Sequence, residues 1–332
     1  MALTCAHMIT LCSRSCQRFR LIYQNCRPYA FGRTGFPRKK ASIQTPVHSN
    51  GQYSPVSKLG LVVKCGAFTV ISTNAIFVGS LILGFEAWRS RRAKSKHREN
   101  NKSFVSRVCE YLEGILGRPL RASDMYWAVL ACNILIYLGL NSAFSSTLLR
   151  YFCSSPYGPT PVLSMILSVF AHRSFFHLAI NMYVLHSFAS SVISLIGVED
   201  FFSLFIAGGI FSNYVSLVNK VLQKSTFPSL GASGGICAII GAFSMLQPNA
   251  RLCIPFVVDI IPHSFQASNA IWVMLCIETL GILFFTRRSA LDHAAHAGGL
   301  LFGMVYGMNG SEFLCERRRA VLSWWRSIRD SK

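Results

Sequence analysis

Residues 230–247 read LGASGGICAIIGAFSMLQ, a run without a single charge whose opening turn carries three glycines and one serine, Ser233. As an α-helix a stretch of this length is about 27 Å long, close to the hydrocarbon thickness of a bilayer. It is apolar all round rather than alternating, so the spanning element it predicts is a helix and not a barrel strand. Working outward, six further stretches that are uncharged, or carry one acid, have comparable length: 66–85, 126–144, 174–198, 201–218, 271–286 and 293–308. Residues 151–171 are also uncharged, but Pro156, Gly158, Pro159 and Pro161 argue against a straight helix, so a loop in or on the membrane is expected there. The fold class that follows is all-α, a polytopic membrane helical bundle of seven spans.

Composition agrees. Of 332 residues 52% are hydrophobic and 14% charged, well under the roughly 25% charged of a soluble domain, and 25 phenylalanines exclude a disordered chain. The net charge of +20 raises nucleic-acid binding, until the charge is located. Residues 1–121 hold 20 Lys and Arg against four Glu, net +16; residues 122–332 hold 13 basic against 9 acidic groups, net +4. The basic excess belongs to the N-terminal third, and the apolar remainder is almost balanced, which excludes a nucleic-acid surface on the bundle.

Residues 1–40 contain eight Arg and Lys and neither Asp nor Glu, the bias of a mitochondrial targeting segment. The chain therefore divides into a targeting segment and linker (1–58), a first membrane helix (59–88), a basic connector containing the amphipathic stretch 104–116 (89–123), a six-span core (124–311) and a basic tail (312–332). The twelve cysteines form no CxxC pair and no metal-like spacing with histidine; most sit in apolar runs as small hydrophobes. Neither a metal nor a cofactor is expected.

Polar groups at membrane depth are costly, so they mark function or partnered structure. Ser233 lies at a helix entry, where unpaired backbone N–H groups can donate to an oxyanion, and Gly231, Gly234 and Gly235 leave room for a substrate carbonyl. In the seventh span, HAAHAGGLLFGMVYGM (293–308), Ala295, Gly299, Gly303 and Gly307 recur every four residues and make a stripe along which another helix backbone can approach; Gly231, Gly235 and the set Gly234, Ala238, Ala242 are its expected counterparts on the fifth. Where the stripes meet, His296 comes within reach of Ser233, the pairing of base and nucleophile. His177 and Asn181, four apart, share one face of the third span; both are neutral donors suited to an oxyanion. Asp292 is expected to cap the seventh span, which leaves a Ser233–His296 dyad rather than a triad. Glu278, in the sixth span, is expected to pair with a neighbouring helix or face the bundle interior, with no catalytic role.

Three of these motifs, HLAIN (177–181), GASGG (231–235) and AHAGGLLFG (295–303), occur in this order, and with them the chain resembles the rhomboid family of intramembrane serine proteases over roughly residues 120–310; the extra first span and targeting-like start resemble its mitochondrial branch. The resemblance implies a six-helix core with one helix added in front (1+6), in the mitochondrial inner membrane with the N-terminus in the matrix. It implies cleavage of single-span membrane proteins in or near their transmembrane helix, with Ser233 as nucleophile, His296 as general base and then acid, and His177 and Asn181 as oxyanion donors. Many rhomboids carry an aromatic residue four positions after the serine that stacks on the histidine; here that position is Cys237. The alternative is a catalytically inactive rhomboid-like protein that binds transmembrane helices, or a carrier; a carrier should show repeated halves, and the sequence has none. The expected partners are single-span substrates and the lipid bilayer, not nucleic acid.

Overall fold

A computed structural model describes residues 55–94, 104–117, 124–253, 263–285 and 291–330. The expected targeting segment, apart from its last four residues, and much of the basic connector lie outside the described residues. Eleven helices account for nearly all of the described chain: α1 Pro55–Lys94, α2 Phe104–Leu116, α3 Asp124–Leu140, α4 Ser145–Phe152, α5 Pro161–Leu167 running into a 3-10 turn at Ser168–Phe170, α6 Phe175–Ile196, α7 Val198–Gln223, α8 Ser233–Leu246, α9 Ala267–Phe284, α10 His293–Met308 and α11 Gly310–Asp330. Two short strands, Arg251–Leu252 and Phe265–Gln266, pair antiparallel before α9.

Among the described residues four helices are long and apolar enough to cross a bilayer: Lys58–Arg89, Phe175–Ile196, Val198–Gln223 and Ala267–Phe284. Each of the seven expected stretches carries a helix; the seventh keeps its expected bounds, His293–Met308, while the second and fifth need correction, being helices of 17 and 14 residues that stop short of 126–144 and 230–247. Residues 141–144 and 230–232, left outside those two helices, are turns and irregular chain whose backbone is hydrogen-bonded to the protein, as backbone at membrane depth requires. Conversely α1 and α7 run past the charges expected to end them. Three of those charges are paired: Glu86 with Arg89, Asp200 with Arg317, Lys220 with Asp292. A count bounded by charges truncates a helix wherever its terminal charges find partners inside the protein. Residues 151–171 avoid a straight span, as their prolines predict, and form the end of α4, a turn, α5 and the 3-10 turn.

The centre of the bundle is α7, the most completely buried of the four long spans. Phe201, Leu204, Phe205, Ile210 and Leu217 of α7 are all at most 1% exposed and meet Ile239 of α8 and Leu300 of α10 in one core. α1 runs antiparallel along α7: Gly66 lies against Tyr214, the Ser80 and Ser203 hydroxyls are 2.5 Å apart, and Gly84 abuts Glu199.

The pair α8 and α10 sets the functional geometry. Gly299 is pressed against the Gly234 carbonyl, Gly303 against that of Ala238 and Gly307 against that of Ala242, while Gly241 faces the Leu300 carbonyl. All three contacts keep the same offset in the chain, so the two helices are parallel and in register. The expected stripe is present, with one correction: Gly231 and Gly235 do not belong to it. Gly235 accommodates the Phe205 carbonyl of α7, and Gly231 accommodates His177. That register sets Ser233, the first residue of α8, level with Gly298, just past the first turn of α10, where the His296 side chain reaches it. Gly234 faces Ser212, midway along α7, so α8 starts well inside the span of its neighbour.

Candidate functional site

Ser233 and His296 meet at this level, with Ser233 Oγ 2.9 Å from His296 Nε2. Three anchors hold the serine's backbone. Ser154 and Ser229 exchange backbone hydrogen bonds of 2.8 Å, Gly231 N–H donates to the Ser168 carbonyl at 2.9 Å, and Ala232 is fully buried. Gly231 has φ +139°, a conformation side chains rarely adopt, and a methyl group on it would lie 2.9 Å from His177 Cε1 and 3.8 Å from Ser233 Oγ. That glycine is therefore required twice, by its backbone angle and by the ring beside it.

His177 sits in the first turn of α6, whose N-cap Ser174 accepts the His177 N–H. It flanks Gly231 on the side of the serine. Asn181 follows one turn later, buried, with its side-chain N–H donating to the His177 carbonyl at 2.8 Å. Asn181 thus braces the turn that carries His177, and its remaining N–H is available to a ligand. His172, unremarked in the sequence, packs its ring edge-on against His177 at 5.1 Å; burial and the neighbouring His177 push its imidazole down to about 3, so it stays neutral. The signal that could have exposed it is its spacing, five residues before His177 across a helix start.

His296 is held from its other side as well. Glu278 of α9 places Oε1 3.0 Å from His296 Nδ1 and Oε2 2.6 Å from His293 Nδ1. The expectation that Glu278 pairs with a neighbouring helix holds, and its partners are two imidazoles, one of them the candidate base. Nothing in the spacing predicts which partner it takes, because that is settled by how two helices pack together and not by any local period. Cys237, four residues after Ser233, is buried beside Gly299 and brings no ring to His296.

Asp292 caps α10 as expected, accepting the Ala295 N–H at 3.0 Å. Its second oxygen gathers Lys220 at 2.9 Å, Ser216 at 2.5 Å and Ser229. This cluster ties the end of α7 and the approach to Ser233 to the start of α10. Among the described residues no group of His, Cys, Asp and Glu has the arrangement of a metal site. The arrangement contains the parts of nucleophilic acyl transfer: a hydroxyl within hydrogen-bond reach of an imidazole nitrogen, first-turn N–H groups of α8 without helical acceptors, and a second imidazole alongside.

Comparison with known proteins matches residues 159–313 to the Rhomboid domain. The chain is 31% identical over 317 residues to "Presenilin-associated rhomboid-like protein, mitochondrial" of Homo sapiens, covering 90% of this chain and 79% of that protein. The Mus musculus protein of the same name is 31% identical over 311 residues, covering 90% and 80%. "Presenilin-associated rhomboid-like protein A, mitochondrial" of Danio rerio is 39% identical over 188 residues, covering 57% of this chain and 48% of its own length.

Proposed function

The chain belongs to the rhomboid family, and on that premise we propose that it is an intramembrane serine endopeptidase of the mitochondrial inner membrane that cuts single-span membrane proteins in or near their transmembrane helix. The observation that carries this reading is the 2.9 Å contact between Ser233 Oγ and His296 Nε2 at the inner starts of two parallel helices.

In the reaction the Ser233 oxygen attacks the scissile carbonyl as its proton passes to His296 Nε2. The oxyanion is received by the Ser233 N–H and the His177 ring, with Asn181 bracing the latter. His296 then gives its proton to the leaving amine as the C–N bond breaks. Water, activated by the same imidazole, releases the acyl group and restores the serine. A carbonyl within an intact helix is shielded by its own hydrogen bond, so substrates with Gly, Pro or polar residues near the scissile bond are favoured. The mitochondrial address rests on the names of the relatives and on the acid-free, arginine-rich first forty residues.

The test uses the full chain purified in detergent with a single-span reporter and a fluorophosphonate probe. Cleavage and labelling that both vanish in Ser233→Ala and in His296→Ala, with unchanged melting, support the protease. Cleavage retained by Ser233→Ala sinks it, and a wild-type chain that binds the reporter without cutting it or taking the probe is an inactive binder.

A further inference from the structure

The imidazole facing Ser233 has its opposite nitrogen on a carboxylate, and we infer that Glu278 is a positioning residue that converts the Ser233–His296 pair into a Ser–His–Glu relay, with His293 holding the carboxylate in place. This inference rests on the protease reading and adds to it the group that sets the base.

The tautomer is where the geometry acts. An ionised carboxylate only accepts hydrogen bonds, so both imidazoles that touch Glu278 present an Nδ1–H to it, at 3.0 Å for His296 and 2.6 Å for His293. With its proton on Nδ1, neutral His296 turns the Nε2 lone pair towards Ser233 Oγ, the form a general base needs. Without the carboxylate the proton can equally reside on Nε2, and the imidazole then offers Ser233 a donor instead of a base.

The second support comes from what the site lacks. In many rhomboids an aromatic ring four residues after the serine fixes the histidine by stacking, and the resemblance places Cys237 there. Cys237 packs beside Gly299 and cannot hold the plane of a ring. The orientation of His296 is instead set edgewise, through Nδ1, by a side chain from another helix. His293 completes the arrangement: it lies one turn before His296 on α10, its ring packed against Gly281 of α9, so it restrains the second carboxylate oxygen and with it the Glu278 rotamer. The Glu278 side chain is 15% exposed, and two N–H donors compensate its burial.

The proton count is unchanged. When Ser233 attacks, its proton moves to Nε2 and the imidazolium carries two N–H groups, one on Glu278; the carboxylate stays ionised and balances the new positive charge until the proton leaves with the amine. The other titratable or charged groups around this relay are His177 and Arg173 beyond the serine and Cys237 against Glu278.

The experiment compares wild type with Glu278→Gln in the full chain, reading kcat and KM for a single-span reporter together with melting. Glu278→Gln keeps the shape and is expected to lower kcat by roughly 10²- to 10⁴-fold, the upper end being the loss seen when the corresponding carboxylate of a soluble serine protease is amidated, with KM and melting little changed. A kcat within twofold of wild type overturns the inference. Where the amide variant fails to fold, Glu278→Ala is assayed with and without formate: a tenfold or greater gain in kcat on adding formate supports the relay, and no gain overturns it. If the wild type itself neither cleaves nor takes the serine probe, it is the protease reading that has failed; an active wild type with an equally active Glu278→Gln leaves that reading intact.

Discussion

Asp292 closes the first turn of α10 with one carboxylate oxygen and receives the Lys220 ammonium on the other, 2.9 Å away. The pair joins the end of α7 to the start of the helix that carries His296. Through Ser229, which contacts both, it also reaches the segment that delivers Ser233. One buried cluster therefore fixes both halves of the candidate dyad against a common post.

The Lys220 side chain is 8% exposed, so removing it leaves a carboxylate short of its cation in a poorly solvated place. Lys220→Met is expected to cost about 3 kcal/mol of stability, read as a lower melting temperature in detergent. The pH dependence has a definite sign. Burial by itself would raise the Asp292 carboxyl, but the Lys220 ammonium and the Ser216 and Ser229 hydroxyls outweigh it and hold the group well below the usual carboxylate range. A depressed folded-state value gives stability that is fully present above the unfolded value near 4 and is lost as pH falls from there towards the folded one. Wild type should lose melting temperature across that acid window, and Lys220→Met should lose markedly less; equal losses in the two proteins count against the pair.

The α8–α10 contact predicts sharp intolerance of a single methyl group. Gly303 has the Ala238 carbonyl where its Cβ would stand, whereas Gly79 on α1 has open space there. Gly303→Ala is expected to cost about 1–3 kcal/mol through forced separation of the two helices and to slow serine-probe labelling by widening the Ser233–His296 contact. Gly79→Ala should be neutral or slightly stabilising. Equal behaviour of the two variants, measured by melting and labelling rate, would remove the register argument.

Much of this contact was legible in the sequence, for a simple reason. The recurrence of Ala295, Gly299, Gly303 and Gly307 every four residues marks one helix face without reference to anything else in the chain. The same holds for Ser233 among its glycines and for Asp292 just before a helix. Gly231 and Gly235 were harder to place, because a small residue announces that something approaches but not what: here a histidine of α6 and a carbonyl of α7. Glu278 illustrates the other limit. Its cost at membrane depth identifies it as partnered, but the partner depends on how α10 packs against α9, which no local period encodes. Bounds drawn at Lys220 and Glu86 fall short of the helix ends for a related reason, since both charges have a counter-charge within the protein.

The last prediction concerns the Asp200 end of α7. Gly234, beside the nucleophile, faces Ser212 of α7, which puts the Asp200 end of that helix about 18 Å from the dyad along its axis. There α11 straps the extra helix α1 to the core. Arg317 donates to Asp200 at 3.1 Å while its guanidinium lies 4.5 Å over the Phe77 ring of α1, and Trp325 donates to Glu86 at 2.9 Å. Asp200 is 4% exposed, so Arg317→Ala leaves a buried carboxylate without its main cation and removes the cation from the Phe77 face. The expected loss is about 3 kcal/mol, concentrated where α1 meets α7. A cysteine pair introduced at Ser80 and Ser203, whose hydroxyls are 2.5 Å apart, reports that contact directly. Crosslinking of this pair should slow in the Arg317→Ala background, while serine-probe labelling at Ser233 remains close to wild type because, among the described residues, Ser233, His177, Glu278 and His296 share no hydrogen bond or ion pair with α11. Loss of labelling in step with crosslinking would mean instead that the extra helix and the dyad form a single cooperative unit.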